Sequence, residues 1–230
     1  MSKIKFVFID IDDTLFDFHR SEAVALSYTL ESLGIDPTEE TLSRYSRINK
    51  SLWQALERGE IERDRLLTKR YELLFEEISA NADARVAQSL YEGKLSKTYY
   101  YLDGAEELLS HLKKNYKVYL ASNGTAIVQD GRIARSGIGK YADGIFISER
   151  VGYNKPSREF FESCFSSIEG FDKEFAVMIG DSLSSDILGG INAGIKTCFY
   201  NPASIPIPPD IRPDAEAKSL GDIPAILERL

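Results

Sequence analysis

A chain of 230 residues with 43% apolar side chains is long enough for one large domain, or for a core domain carrying a smaller insertion. Its 36 Asp and Glu against 28 Lys and Arg leave a net charge of -8, which excludes polymeric DNA or RNA as an expected partner because no basic field meets a phosphate backbone. Cys164 and Cys198 stand far apart without metal-ligand spacing, so they read as buried thiols, not as a disulfide framework or a zinc site.

The opening segment "MSKIKFVFID" reaches acidic residues too soon for a signal peptide. No apolar stretch approaches the roughly 18 residues of a membrane span, and the cytoplasm is the expected location. Residues 4–9, "IKFVFI", form an apolar run suited to a strand covered on both faces of a parallel sheet. From about 18 to 97 the apolar residues recur at helical period with no convincing strand between them. An all-helical insertion is therefore expected after the first strand. "YYYLDGAEELLSHLKKN" resumes the alternation, with Asp103 and Gly104 marking a helix start.

Short strand-like runs follow at "KVYLAS" (117–122), "GIFIS" (144–148), "FAVMIG" (175–180) and "KTCFY" (196–200), with amphipathic helical patterns between most of them. The alternation predicts a doubly wound, mostly parallel, Rossmann-like α/β sheet. Its core would comprise 1–17 and 98–230, with 18–97 as a helical cap. The Pro-rich stretch 201–214 reads as a surface loop before a last helix near "DIPAILERL". "LGGINAG" (188–194) does not open a helix after a strand, so its glycines read as close-packing positions and a helix end.

Ligands of open α/β sheets sit beyond the carboxyl ends of the strands, and each unusual polar cluster falls there. Asp10, Asp12 and Asp13 follow the first strand, Ser122 and Asn123 the second, and Asp181 and Asp186 the fourth. Lys155 precedes the helix after the third. If Asp10, Asp12, Asp181 and Asp186 converge, like charges about 4 Å apart repel by roughly 4 kcal/mol per pair at an effective dielectric near 20. A counterion is then required. Hard oxygen ligands without His or Cys favour Mg²⁺ over zinc or copper. A phosphoryl group suits such a site, because a metal and a lysine neutralise its oxygens while Ser122 and backbone N–H groups donate to it. Asp10 is placed to attack phosphorus and Asp12, two positions on, to act as acid and then base.

"DIDDTL", "SN", "KP" and "GDSLSSD" resemble, in order, the four motifs of the haloacid dehalogenase superfamily of phosphatases. The resemblance covers almost the whole chain. It implies Asp10 as nucleophile, Asp12 as acid/base, Ser122, Asn123 and Lys155 at the phosphate, and Mg²⁺ on Asp10, the Asp12 carbonyl and Asp181, with Asp186 supporting. The helical stretch is similar to that superfamily's cap, which closes over the site and selects substrate. "INKSLW", "ISERVGYNKP" and "SDILGGINAGIKTC" are similar to bacterial pyrimidine 5'-nucleotidases, implying a nucleoside monophosphate such as dUMP or dTMP as the small-molecule partner. Asp13 stands where many members carry Gly.

Simpler roles compete for several residues. Asp and Ser at strand ends also shape turns, Lys155 also suits an exposed surface, and Asp186 also suits the first turn of a helix. In the cap, Asn49 and Trp53 are candidates for substrate contact, although aromatic residues at helical spacing more often pack helices together. His19 and His111 read as surface or interface residues. Among functions, a sugar-phosphate phosphatase or phosphomutase would share the same core. A haloacid dehalogenase is disfavoured by Asp12, and a phospho-receiver by the helical insertion.

Overall fold

In the computed structural model, which describes residues 4–230, every position of the first strand, β1 (Phe6–Ile9), is buried. Met1 to Lys3, the start of the segment considered above as a leader, lie outside the described residues. A strand points its side chains alternately to two faces, so one without a polar position needs cover on both. Phe6 and Phe8 pack with Phe160, Phe161 and Phe165, while Val7 and Ile9 join Leu108, Leu109 and Leu112.

The chain leaves β1 through four helices, α1 (Phe18–Ser32), α2 (Glu39–Glu57), α3 (Arg63–Glu77) and α4 (Ala84–Leu95). Side chains of Asp17, Thr38 and Asp83 cap the first, second and fourth by accepting from free N–H groups of the first turn. Their apolar faces build a separate cluster containing Leu26, Leu30, Tyr45, Tyr71, Leu74 and Tyr91. Departure and return run side by side: the Asp17 N–H donates to the Tyr100 carbonyl at 2.9 Å, and the Leu102 N–H to the Leu15 carbonyl at 3.0 Å.

Alternation then resumes through α5 (Ala105–Asn115), β2 (Lys117–Ser122), α6 (Ala126–Ser136), β3 (Gly144–Ile147), α7 (Ser148–Val151), α8 (Arg158–Ser166), β4 (Ala176–Gly180), α9 (Leu188–Ala193), β5 (Lys196–Tyr200), β6 (Ala215–Ala217) and α10 (Ile223–Leu227). Among the described residues the strands form one sheet, ordered β3-β2-β1-β4-β5-β6, with every pairing parallel. This is the expected doubly wound α/β architecture. Strand order reverses between β1 and β4, where such sheets open a ligand crevice. Ile9 pairs with Ile179, so the residues that follow the two strands emerge together. No helix among the described residues is long and apolar enough to cross a membrane.

The structure corrects the reading of the C-terminal segment: after the loop over 201–214 comes a sixth strand, β6, paired with β5. Its three residues, Ala-Glu-Ala, carry neither β-branched nor aromatic side chains, so propensity gives no sign of it. The glycines of 188–194 do allow close approach. A Cβ on Gly190 would lie 2.5 Å from Thr197 Cγ2 and 3.2 Å from Met178 Cβ, and Gly194 ends α9 at φ +75°. Gly190→Ala should therefore force α9 off the sheet and cost about 1–3 kcal/mol, read as a lower urea midpoint. An unchanged midpoint would mean that the helix yields freely.

Candidate active site

Asp10 follows β1 and Asp181 follows β4, and the pairing of these strands brings the two carboxylates together. One oxygen from each of Asp10, Asp181 and Asp186 lies within 4.8 Å of the others. Asp186 arrives on a widened helical turn, Leu183–Ile187, capped by the Ser182 hydroxyl. The Lys155 ammonium, 1% exposed, donates to Asp10 at 2.6 Å, Asp186 at 2.7 Å and the Ala121 carbonyl at 2.7 Å. It is thus no surface lysine.

Three carboxylates against one ammonium leave excess negative charge in a desolvated place. Burial pushes the Asp10 carboxyl up to about 8; Lys155 opposes the shift, and the charges of Asp186 and Asp12 add to it. Burial, with the charges of Asp186, Asp10 and Asp13, holds Asp181 well above the carboxylate range. Burial alone would lower the Lys155 ammonium, but Asp10 and Asp186 raise it. Converging hard oxygens that resist joint ionisation fit a hard divalent cation.

Asp12 does not share this cluster through its side chain, as a convergence of all four carboxylates would require. Its carboxylate turns to α6, accepting from Gln129 Nε2 at 2.6 Å and pairing with Arg132 Nη1. Arg132 is fully buried against the Phe16 ring, 5.0 Å from its centroid. Gln129 Nε2 also donates to Ser122 Oγ at 2.9 Å, and the Gly124 N–H donates to the same oxygen at 3.0 Å. Two accepted bonds leave the Ser122 hydroxyl its O–H to donate. Asn123, expected at a phosphate, directs its side chain elsewhere: its Nδ2 donates to the Lys155 carbonyl at 2.8 Å and its Oδ1 accepts the Lys155 N–H at 2.9 Å. The amide fixes the backbone that carries the buried lysine.

These groups face a cavity of about 300 Å³ whose far wall comes from the helical segment, including Asn49, Trp53 and Glu57 of α2. The Glu57 carboxylate accepts from the Ser184 hydroxyl at 2.7 Å. Arg63, at the start of α3, donates to the Asn123 carbonyl at 2.8 Å and the Ser148 hydroxyl at 2.6 Å, and pairs with the Asn154 amide. Its guanidinium lies 5.5 Å from the Trp53 ring centroid. His19 also belongs to the cavity lining, 3.5 Å from Asp13, whereas the sequence reading gives it no place there. Asp13 has φ +57°, a left-handed conformation that glycine adopts without strain, and it recovers N–H donors from Phe18 and His19 at the start of α1. Burial pushes the Asp13 carboxyl up to about 6, against the opposing charge of His19.

Residues 4–194 match the profile of the haloacid dehalogenase-like hydrolases. The chain belongs to that family. Over 227 residues it is 35% identical to the HAD-hydrolase YfnB of Bacillus subtilis, covering 99% of this chain and 97% of YfnB. The crystal structure of YfnB bound to magnesium superimposes with a TM-score of 0.93, covering 97% of this chain and 98% of that one. Two pyrimidine 5'-nucleotidases are also similar: PynA of Streptococcus pneumoniae, 37% identical, covering 98% of this chain and 95% of PynA, and YjjG of Escherichia coli, 31% identical, covering 98% of each.

For this haloacid dehalogenase-like hydrolase, sequence reasoning overlooks the residues that hold the principal ones in place. Thr14 donates to Asp181 at 3.2 Å and accepts the Asp181 N–H at 3.1 Å. Gln129 and Arg132 hold Asp12, at positions of α6 where only the i, i+3 spacing marks a shared face.

The raised carboxyls set a pH dependence. The folded protein retains protons on Asp10 and Asp181 that the unfolded chain releases near 3.8, so the stabilisation present below that value is lost as pH climbs toward about 8. Chelator-treated protein should lose urea stability across this window, and Asp181→Asn should flatten the slope. A variant slope as steep as that of the wild type would refute the assignment.

Proposed function

We propose that the chain is a Mg²⁺-dependent phosphomonoester hydrolase that acts on nucleoside 5'-monophosphates, pyrimidine nucleotides foremost, through an aspartyl phosphate. The observation that carries this reading is the presence of two differently held carboxylates on one cavity. Asp10 belongs to the cation-competent cluster, and Asp12 is held apart by Gln129 and Arg132. The similarity to PynA and YjjG supports the nucleotide as substrate.

Mg²⁺ would be held by Asp10, Asp181 and the Asp12 carbonyl, with Asp186 supporting, and would supply charge neutralisation for a phosphoryl group. An Asp10 oxygen attacks phosphorus, and the bond to the ester oxygen breaks as that oxygen takes the proton of Asp12. Asp12, now a carboxylate, takes a proton from the water that attacks the aspartyl phosphate. Inorganic phosphate leaves and Asp10 is restored. Lys155 keeps positive charge beside Asp10 throughout, and the free O–H of Ser122 donates to a phosphoryl oxygen. The helical segment 18–97 serves as a cap over the core of 1–17 and 98–230, excluding bulk water from the intermediate.

Purified protein should release phosphate from dUMP and dTMP with Mg²⁺, stop in EDTA and recover when Mg²⁺ is restored. Asp10→Asn and Asp12→Asn should each lower turnover by at least about 10³-fold while the fold persists by circular dichroism. Undiminished turnover in chelator, or inertness toward nucleotides and aryl phosphates alike, would end this reading.

A further inference from the structure

Four polar side chains, one from each of the helices α1 to α4, meet inside the helical segment: Glu22, Asn49, Arg70 and Gln88. Asn49 Nδ2 donates to Glu22 Oε1 at 2.7 Å, and Asn49 Oδ1 accepts from Arg70 Nη1 at 2.9 Å. A carboxylate only accepts and a guanidinium only donates, so these partners settle which end of the amide is oxygen and which is nitrogen. Arg70 is itself held, donating to Gln88 Oε1 at 2.7 Å and lying 4.8 Å from the Tyr91 ring centroid. Glu22, Asn49, Arg70 and Tyr91 line the same cavity as Asp10 and Asp181. The buried Tyr91 hydroxyl has no hydrogen-bond partner among the described residues.

We propose that the Asn49 carboxamide reads the hydrogen-bonding edge of the substrate's base, selecting a ring that presents a carbonyl beside an N–H, as uracil and thymine do. The proposal rests on the nucleotidase reading and adds the group that recognises the leaving nucleoside. With one N–H given to Glu22 and one carbonyl lone pair taken by Arg70, the valence of the amide leaves one N–H and one lone pair beyond these two bonds, on a side chain that lines the cavity. That pair is complementary to N3–H and an adjacent carbonyl of the pyrimidine, in the two-bond manner by which amide side chains read bases elsewhere. An amide locked by charged neighbours cannot rotate to suit a different edge, so it discriminates more sharply than a free one.

The test compares kcat/KM of the wild-type enzyme with Mg²⁺ on dUMP, N3-methyl-dUMP and deoxyribose 5-phosphate, then repeats it with Asn49→Ala. Wild type should lose about 100-fold or more on N3-methylation, because the site's own polar groups are left unpaired. In Asn49→Ala the ratio of dUMP to its N3-methyl analogue should collapse to within about 3-fold. A wild-type enzyme that accepts both nucleotides equally would overturn the proposal without any variant, as would an unchanged ratio in folded Asn49→Ala. Should Asn49→Ala fail to fold, Asn49→Ser, which keeps a hydroxyl between Glu22 and Arg70 but has no two-point amide edge, takes its place with the same collapse expected. Turnover of deoxyribose 5-phosphate but not of dUMP would instead remove the nucleotidase reading, and this proposal with it.

Discussion

One ammonium group holds the site together. Lys155 sits between Asp10 and Asp186 with its remaining proton on the Ala121 carbonyl, and it is almost without solvent. Removing it would leave buried carboxylates facing one another at distances where repulsion is costly. Much of the surrounding architecture follows from keeping that charge in place. Asn123 clamps the lysine's backbone from both sides of its amide. Gly180 lies so close to the Asp186 carboxylate that any Cβ there would collide with it, which gives the glycine of "GDSLSSD" a packing reason. The switch point between β1 and β4 is what lets distant parts of the chain contribute to one cluster.

The strands and their polar ends were legible because a buried parallel strand must be apolar throughout, and a carboxylate at its end then stands out. "FVFI" and "AVMIG" carry that signal, and Asp10 and Asp181 follow directly from it. Residues whose function is to orient another residue leave no such trace. Gln129 and Arg132 lie on one face of an ordinary amphipathic helix, and nothing in their spacing reveals that they face Asp12. Asn123 could be placed at the strand-end crevice from its neighbour Ser122, but the pairing of its amide with Lys155, 32 positions on, depends on how β3 and α7 fold back. His19 was hidden for a similar reason. The left-handed turn at Asp13 bends the chain so that the imidazole meets the carboxylate, and a single polar residue at the start of a helix does not announce that bend.

The helical segment posed the opposite difficulty, since its aromatic residues invited a ligand and mostly pack with one another. Tyr45, Tyr71 and Tyr91 surround the Arg70 guanidinium, and the hydroxyls of Tyr45 and Tyr71 bond to each other at 3.0 Å. The tyrosines therefore do both things at once. They build the core of four helices, and they hold a charged donor in a fixed place where an apolar core alone could not.

Asp10 and Asp12 are two residues apart, yet each has its own cation, Lys155 for the first and Arg132 for the second. Separate countercharges hold the two neighbouring carboxylates in different settings, one buried beside Lys155 and one turned to α6. Gln129 then ties the arrangement to the end of β2, because its amide nitrogen reaches both Asp12 and the Ser122 hydroxyl. Gly124 must lack a side chain for this to hold, since a Cβ there would stand 2.5 Å from the Gln129 nitrogen. Arg63 reaches the same two loops from the helical side, through the neighbours of Ser122 and Lys155. The seating of the helices and the setting of the cavity-facing groups are thus mechanically one event: α3 cannot lift without releasing Asn123 and Asn154, and those residues adjoin Ser122 and Lys155.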